Sequence, residues 1–269
     1  MIIDFHTHVF PDKIAKRTIE LLEAKGGIPS FSDGSTAGLI SRMEEATVDL
    51  AISLPVLTSP EQFESVNRFA LSLNEKFADK KRRIISFAGI HPLCEQIDEK
   101  MAWIRKSGFL GVKIHPDYQQ TFINDPSYVR ILECAKEEDL IVITHSGIDV
   151  GYKDCPVRCT PELVAGVIDK VKHKKLVLAH AGACNMIDGV FERLCEKDVY
   201  FDTAYILRFI GEENFKKLIK LHGDERILFA SDSPWSSIAD DVQTVKSFKL
   251  DKETEEKIFY KNALKLLGI

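Results

Sequence analysis

LIVITHSG, residues 140–147, opens with four aliphatic residues in a row and closes on a histidine, a serine and a glycine. A strand with one wet face alternates apolar and polar residues. A run that stays apolar belongs to a parallel sheet covered on both faces. Working outward, the same kind of run recurs seven times: MIIDFHTH (1–8), VDLAISLPV (48–56), RIISFAGIHP (83–92), FLGVKIHP (109–116), LVLAHAG (176–182), VYFDTAY (199–205) and RILFASDSP (226–234). The segments between carry helical periodicity. DKIAKRTIELLEAKGG ends in a glycine pair that reads as a helix stop. DPSYVRILECAKEEDL and TPELVAGVIDKVKHKK each open with a capping residue followed by proline. KETEEKIFYKNALKLLGI reads as a closing helix, and GGIPSFSDGST (26–36) as a turn-rich insert lying over the strand ends. Eight strands alternating with helices, without a linker-like shift in composition, predict one (β/α)8 TIM barrel over residues 1–269.

The bulk properties fit. The chain has 269 residues, 45% of them hydrophobic and 29% charged, enough for a large core, and a net charge of -5. That balance disfavours a nucleic-acid partner. No apolar stretch approaches the roughly 20 residues that span a bilayer, and no signal-peptide pattern opens the chain. Six scattered cysteines with no C-x-x-C read as reduced thiols in a cytoplasmic protein. Assembly rests only on the general frequency of symmetric pairs, which favours a homodimer.

The histidines narrow the function. Of eight, His6, His8, His91, His115, His145 and His180 fall at or just after the C-terminal end of a predicted strand. In a parallel barrel those ends share the one face where active sites are built. Asp232 arrives there from the last strand, and Lys113 two residues before His115. In a strand, His6 and His8 point the same way. Asp4 shares that side, deeper, where it would orient an imidazole. Imidazoles with a carboxylate suit zinc, and also manganese or iron. His91 and His115 each precede proline, which reads as shaping a strand exit. His91 is assigned that role, and His115 stands between it and substrate contact. Tyr205, Arg208 and Arg158 follow strands, and either arginine is placed to clamp a substrate carboxylate.

DFHTH, ITHSG, LAHAG and FASDSPW, in that order, resemble the amidohydrolase superfamily. More narrowly they resemble its amidohydrolase-2 group, which includes aminocarboxymuconate-semialdehyde and resorcylate decarboxylases beside hydrolases. The resemblance implies His6, His8, His145 and Asp232 as metal ligands. It implies His180 as a ligand of a second metal or an acid/base group. Lys113, in GVKIHP, matches the lysine that binuclear members carboxylate to bridge two ions. One or two divalent ions are therefore expected.

A metal-bound water has its pKa lowered toward about 7. With Asp232 and His180 as proton-handling groups, the leading expectation is hydrolysis of an amide, ester or lactone in a small, carboxylate-bearing molecule. Decarboxylation of an unsaturated or aromatic acid is the alternative. A TatD-like nuclease is disfavoured, because VKIHP stands where those enzymes place a bridging glutamate. A binding module with a purely structural metal is disfavoured by the excess of ligands at the barrel mouth.

Overall fold

The computed structural model describes residues 1–80 and 83–269. Its strands are β1 (Ile3–Thr7), β2 (Leu50–Ser53), β3 (Arg83–Ser86), β4 (Ala88–Gly89), β5 (Gly111–Ile114), β6 (Ile141–Thr144), β7 (Leu176–Leu178), β8 (Tyr200–Asp202) and β9 (Ile227–Leu228). All neighbours pair in parallel, as β1-β2-β3 and as β4 to β9 in order. The strand expected over 83–92 is interrupted at Phe87, so β3 and β4 are halves of one barrel strand. Phe87 still donates its N–H to Ser53 O at 2.9 Å. The ring closes where Phe5 N–H donates to Phe229 O at 2.9 Å and Asp232 N–H to His6 O at 2.8 Å. The chain folds as a (β/α)8 barrel.

Two apolar clusters build it. One fills the space between strands and helices. The other draws on alternating strand residues, among them Phe5, Ile52, Phe87, Ile143, Val177 and Leu228, and is plugged by Ala263, Leu266 and Leu267 of the last helix. Gly111 belongs to the inner layer because a Cβ there would lie 2.6 Å from the Phe87 ring. Lys113, two residues on, points the same way.

β1 departs from simple alternation. Asp4 pairs with Ala51 and Thr7 with Ser53, so three steps on β1 face two on β2. This extra residue is a bulge, which reverses the face shown by the residues beyond it. Ile3 and Phe5 therefore enter the inner core before it, while His6 reaches the barrel mouth after it. Asp4 is left on the opposite side. It accepts the Ser231 N–H (2.9 Å) and hydroxyl (2.5 Å) and the His6 main-chain N–H (3.3 Å). The expectation that Asp4 orients an imidazole is thus corrected: its carboxylate ties β1 to the segment after β9.

Helix ends follow their sequence signals. Asp125 and Thr160 cap the helices Pro126–Glu137 and Pro161–Val171, accepting from Ser127 N and Leu163 N. The helix Asp12–Gly26 stops at Gly27, whose φ of 65° suits glycine. The closing helix is not continuous: Lys252–Glu256 and Asn262–Leu267 flank a π-turn over Lys257–Lys261. The 26–36 insert lies at the barrel mouth, where Phe31 N–H donates to Pro234 O at 2.7 Å. Among the described residues no helix is long and apolar enough to cross a membrane.

Asp241, in the helix Ile238–Ser247, is buried behind this closure with Oδ2 unpaired. Burial pushes its pKa up to about 7, with nearby Asp4 adding to the rise and Ser236 and Arg208 opposing it. A carboxyl raised in the folded state stabilises below its unfolded value of about 3.9, and that stability is lost as pH climbs through the folded value. Thermal unfolding of Asp241→Asn should therefore show a flatter decline between about pH 4 and 7 than wild type, and a gain of roughly 1–3 kcal/mol at pH 8. Parallel pH profiles for the two proteins would refute this.

Candidate metal centre

Three donors converge at the mouth. His8 Nε2 lies 3.1 Å and His6 Nε2 3.4 Å from Asp232 Oδ1. Each imidazole is aimed by its other nitrogen. His6 Nδ1–H donates to Asp202 Oδ2 at 2.8 Å, and His8 Nδ1–H to Leu54 O at 2.7 Å. Both Nε2 lone pairs therefore face the centre, as metal ligation requires. Burial pulls His6 well below the ordinary histidine pKa, with Lys113 and the other imidazoles adding to it. Its Nε2 is therefore unprotonated at neutral pH, with the Lys113 Nζ lying against that lone pair at 3.0 Å.

Asp202 is a partner the sequence does not single out. It is fully buried at the end of β8, where it also accepts the His180 and Ala204 N–H groups at 2.9 and 3.1 Å. The only sequence signal is an aspartate inside the apolar run VYFDTAY. A carboxylate at the inner end of a barrel strand has no solvent to offset its burial, so it must serve a neighbouring donor.

Beside this trio stands a second imidazole pair. His180 Nδ1–H donates to Ala204 O, and its Nε2 lies 2.9 Å from His145 Nδ1. His145 Nε2 and Asp117 Oδ2, 3.7 Å apart, are both buried without a hydrogen-bond partner. If His145 Nε2 carries the proton toward Asp117, then the His145 and His180 lone pairs face one another. If Nδ1 carries it, two acceptors face one another at Asp117. Either way the network is one positive charge short, which is the condition a cation relieves. Together with the trio, this donor set suits a divalent metal. His145 sits beside His180 rather than within the His6–His8–Asp232 group.

Lys113 is buried between the groups, its Nζ 3.0 Å from His6 Nε2. Burial pulls its pKa down to about 8 against the attraction of Asp202, Asp232 and Asp149.

His115, His145 and Asp149 also offer ligand atoms within 4.8 Å of one another. Two features argue against an ion there. Tyr118 N–H donates to His115 Nδ1 at 3.3 Å, which leaves Nε2 protonated. The His115 and His145 rings are parallel, 7° apart in plane at 4.2 Å, so their in-plane lone pairs do not converge.

A cavity of about 540 Å³ opens above these groups. Its walls are mainly apolar and aromatic, including Phe10, Leu54, Phe69, Tyr118, Tyr205 and Trp235. Among the described residues no arginine lines it. Arg208 instead donates to Trp235 O at 2.7 Å and lies 4.5 Å over the Tyr205 ring. Arg158 approaches Asp117 at 3.5 Å. The structure therefore does not place either arginine as the expected carboxylate clamp. His91 turns a strand exit, accepting Leu93 N–H at 3.1 Å. His173 and His222 bond main-chain carbonyls away from the site.

An amidohydrolase family model matches residues 3–269. The chain belongs to the amidohydrolase family. It is an enzyme of that family by descent and by fold, and no curated protein sequence matches it. Several solved structures share the amidohydrolase's barrel. A dihydroxybenzoic acid decarboxylase from Polaromonas sp. JS666, solved with bound manganese and 2-nitroresorcinol, is 16% identical with a TM-score of 0.71, covering 99% of this chain and 96% of that one. The 5-carboxyvanillate decarboxylase from Sphingomonas paucimobilis is 15% identical with a TM-score of 0.69, over 100% and 99%. A putative amidohydrolase from Staphylococcus aureus is 19% identical with a TM-score of 0.68, over 100% and 99%.

Proposed function

We propose that this amidohydrolase is a metal-dependent non-oxidative decarboxylase of a small aromatic or unsaturated acid. The observation that carries the reading is the division of the cavity. Its walls are apolar and aromatic, while Lys113 and the ligand imidazoles are gathered at its floor. With no arginine among the described lining residues, a substrate carboxylate finds favourable charge only at that floor. The likeness to decarboxylases of hydroxylated aromatic acids supports the same reading, and so moves the weight from hydrolysis to the alternative that the sequence raises.

His6, His8 and Asp232 would hold the ion, with His145 adjacent. When bound, a divalent ion there would anchor and polarise a substrate oxygen. Manganese is favoured over the zinc first expected, because the similar decarboxylases with a stated metal carry manganese. As the carboxyl group leaves as CO2, its bonding electron pair stays on the ring or alkene carbon and must take up a proton. His180 would give it. Its Nδ1–H is committed to Ala204 O, so it would have a proton to give only as the imidazolium, with a second proton on Nε2, which lies 2.9 Å from His145 Nδ1. The apolar walls exclude water.

One observation favours hydrolysis as a second reading. Lys113 Nζ lies against His6 Nε2 with the His145–His180 pair close by, where a carbamylated lysine would bridge two ions. Incubating the manganese-loaded protein with carboxyl-labelled aromatic acids, and in parallel with amides, esters and lactones, separates the two. Labelled CO2 from an acid is the expected result. Turnover confined to the second panel overturns it. Metal content gives an independent measure: near one equivalent per chain, surviving Lys113→Ala, is expected. Two equivalents, one lost in that variant, would restore hydrolysis.

A further inference from the structure

Two polar atoms on the cavity wall are poised without being used. His115 Nε2 and Asp149 Oδ2 lie 3.4 Å apart, beyond an ordinary N–H···O bond, and among the described residues neither makes a hydrogen bond. Both residues line the cavity. Both are also fixed from behind. Asp149 Oδ1 accepts the Gly151 N–H at 2.7 Å, and the His115 ring is clamped between the parallel His145 ring and the edge of Tyr118 at 4.4 Å. The Tyr118 N–H on Nδ1 makes His115 Nε2 the donor, and the carboxylate can only accept.

We propose that His115 and Asp149 determine specificity by binding a hydroxyl group of the substrate, His115 Nε2–H donating to its oxygen and Asp149 Oδ2 accepting its hydrogen. A hydroxyl serves both partners with one oxygen. An ether accepts but cannot donate, and would leave Asp149 desolvated and unpaired. A second carboxylate would meet the charge of Asp149. A site built around such a group rejects the analogue that lacks it far more strongly than an apolar pocket rejects a missing methylene. The inference rests on the reading that a carboxylate is seated at the cavity floor, and it holds whichever bond is then broken.

Calorimetric titration of the manganese-loaded protein with benzoate, the three monohydroxybenzoates and their methoxy counterparts tests it. At least one hydroxybenzoate should bind about tenfold or more tightly than benzoate and than its own methoxy analogue. That ratio should fall to within about threefold in Asp149→Asn, which retains the bond to Gly151 N–H but presents a donor in place of Oδ2. His115→Phe, which keeps the ring stack, should also collapse the ratio. Benzoate affinity in each variant is the internal reference. Benzoates that bind without preference among them, or a preference that persists in both variants, overturn the inference and leave the carboxylate reading standing. Failure of every benzoate to bind overturns that reading, and the inference with it.

Discussion

Asp232→Asn should lose most of its bound divalent metal and, with it, turnover by roughly 10²-fold or more, since even groups that only orient a metal ligand cost about 10–100-fold when changed. Thermal unfolding of the metal-free protein should barely shift. The backbone explains why asparagine is the substitution to make. Asp232 sits at φ 69° and donates its N–H to His6 O at 2.8 Å, so the carboxylate reaches the site through a left-handed turn that also closes the barrel. Asparagine and aspartate tolerate that conformation, whereas alanine would confound the loss of charge with strain. The amide also changes sign where it matters. Oδ1 now lies 3.1 Å from His8 Nε2 and 3.4 Å from His6 Nε2. An amide NH2 in that place would donate to those lone pairs and satisfy them without an ion. Added manganese should therefore raise the melting temperature of wild type, since a ligand that binds only the folded state stabilises it, and leave the variant unmoved. Retained metal with turnover within about threefold of wild type would remove Asp232 from the centre.

The same turn shows how far the sequence can be read. An aspartate at the end of an apolar run is visible, and in a parallel barrel every such end lies on one face. Six histidines, Lys113 and Asp232 can thus be gathered without knowing a single torsion angle. The partners that escape are those set by local departures from regular strand geometry. The bulge in β1 preserves the pairing of His6 with His8 but turns Asp4 away, because one inserted residue reverses a period of two. Asp202 accepts from His6, and Asp117 and Asp149 each stand near a histidine without bonding it, all three reaching across from another strand or loop. Their spacing in sequence carries no signal, since the contacts depend on barrel closure. The arginines fail for the opposite reason. Arg208 follows β8 closely enough in sequence, but its long side chain finds the Trp235 carbonyl and the Tyr205 ring first.

Gly147→Ala should destabilise the fold by about 3 kcal/mol or more, combining overpacking with left-handed strain. At about 2–4 °C per kcal/mol for a chain of this size, the melting temperature should fall by roughly 6 °C or more. Gly147 has φ +86°, and a Cβ there would stand 2.2 Å from Cys184 N and 2.5 Å from Cys184 O. Those atoms are not free to move aside. Cys184 N–H donates to Ser146 O at 2.8 Å and Cys184 O accepts Ile148 N–H at 3.0 Å, forming a parallel bridge between the segments that follow β6 and β7. That bridge holds the loop after His145 against the loop after His180. Alanine must open it, so the 2.9 Å contact between the two imidazoles should loosen and metal affinity should fall along with stability. Gly166→Ala supplies the contrast. It lies inside the helix Pro161–Val171 with nothing within 4 Å of the added Cβ, and should gain roughly 0.5–1 kcal/mol. Chemical denaturation of both variants, with manganese titration of the first, reads out each effect. A Gly147→Ala protein as stable as wild type would mean that the two loops are not pinned to each other, and that the His145–His180 pair owes its geometry to the strands alone.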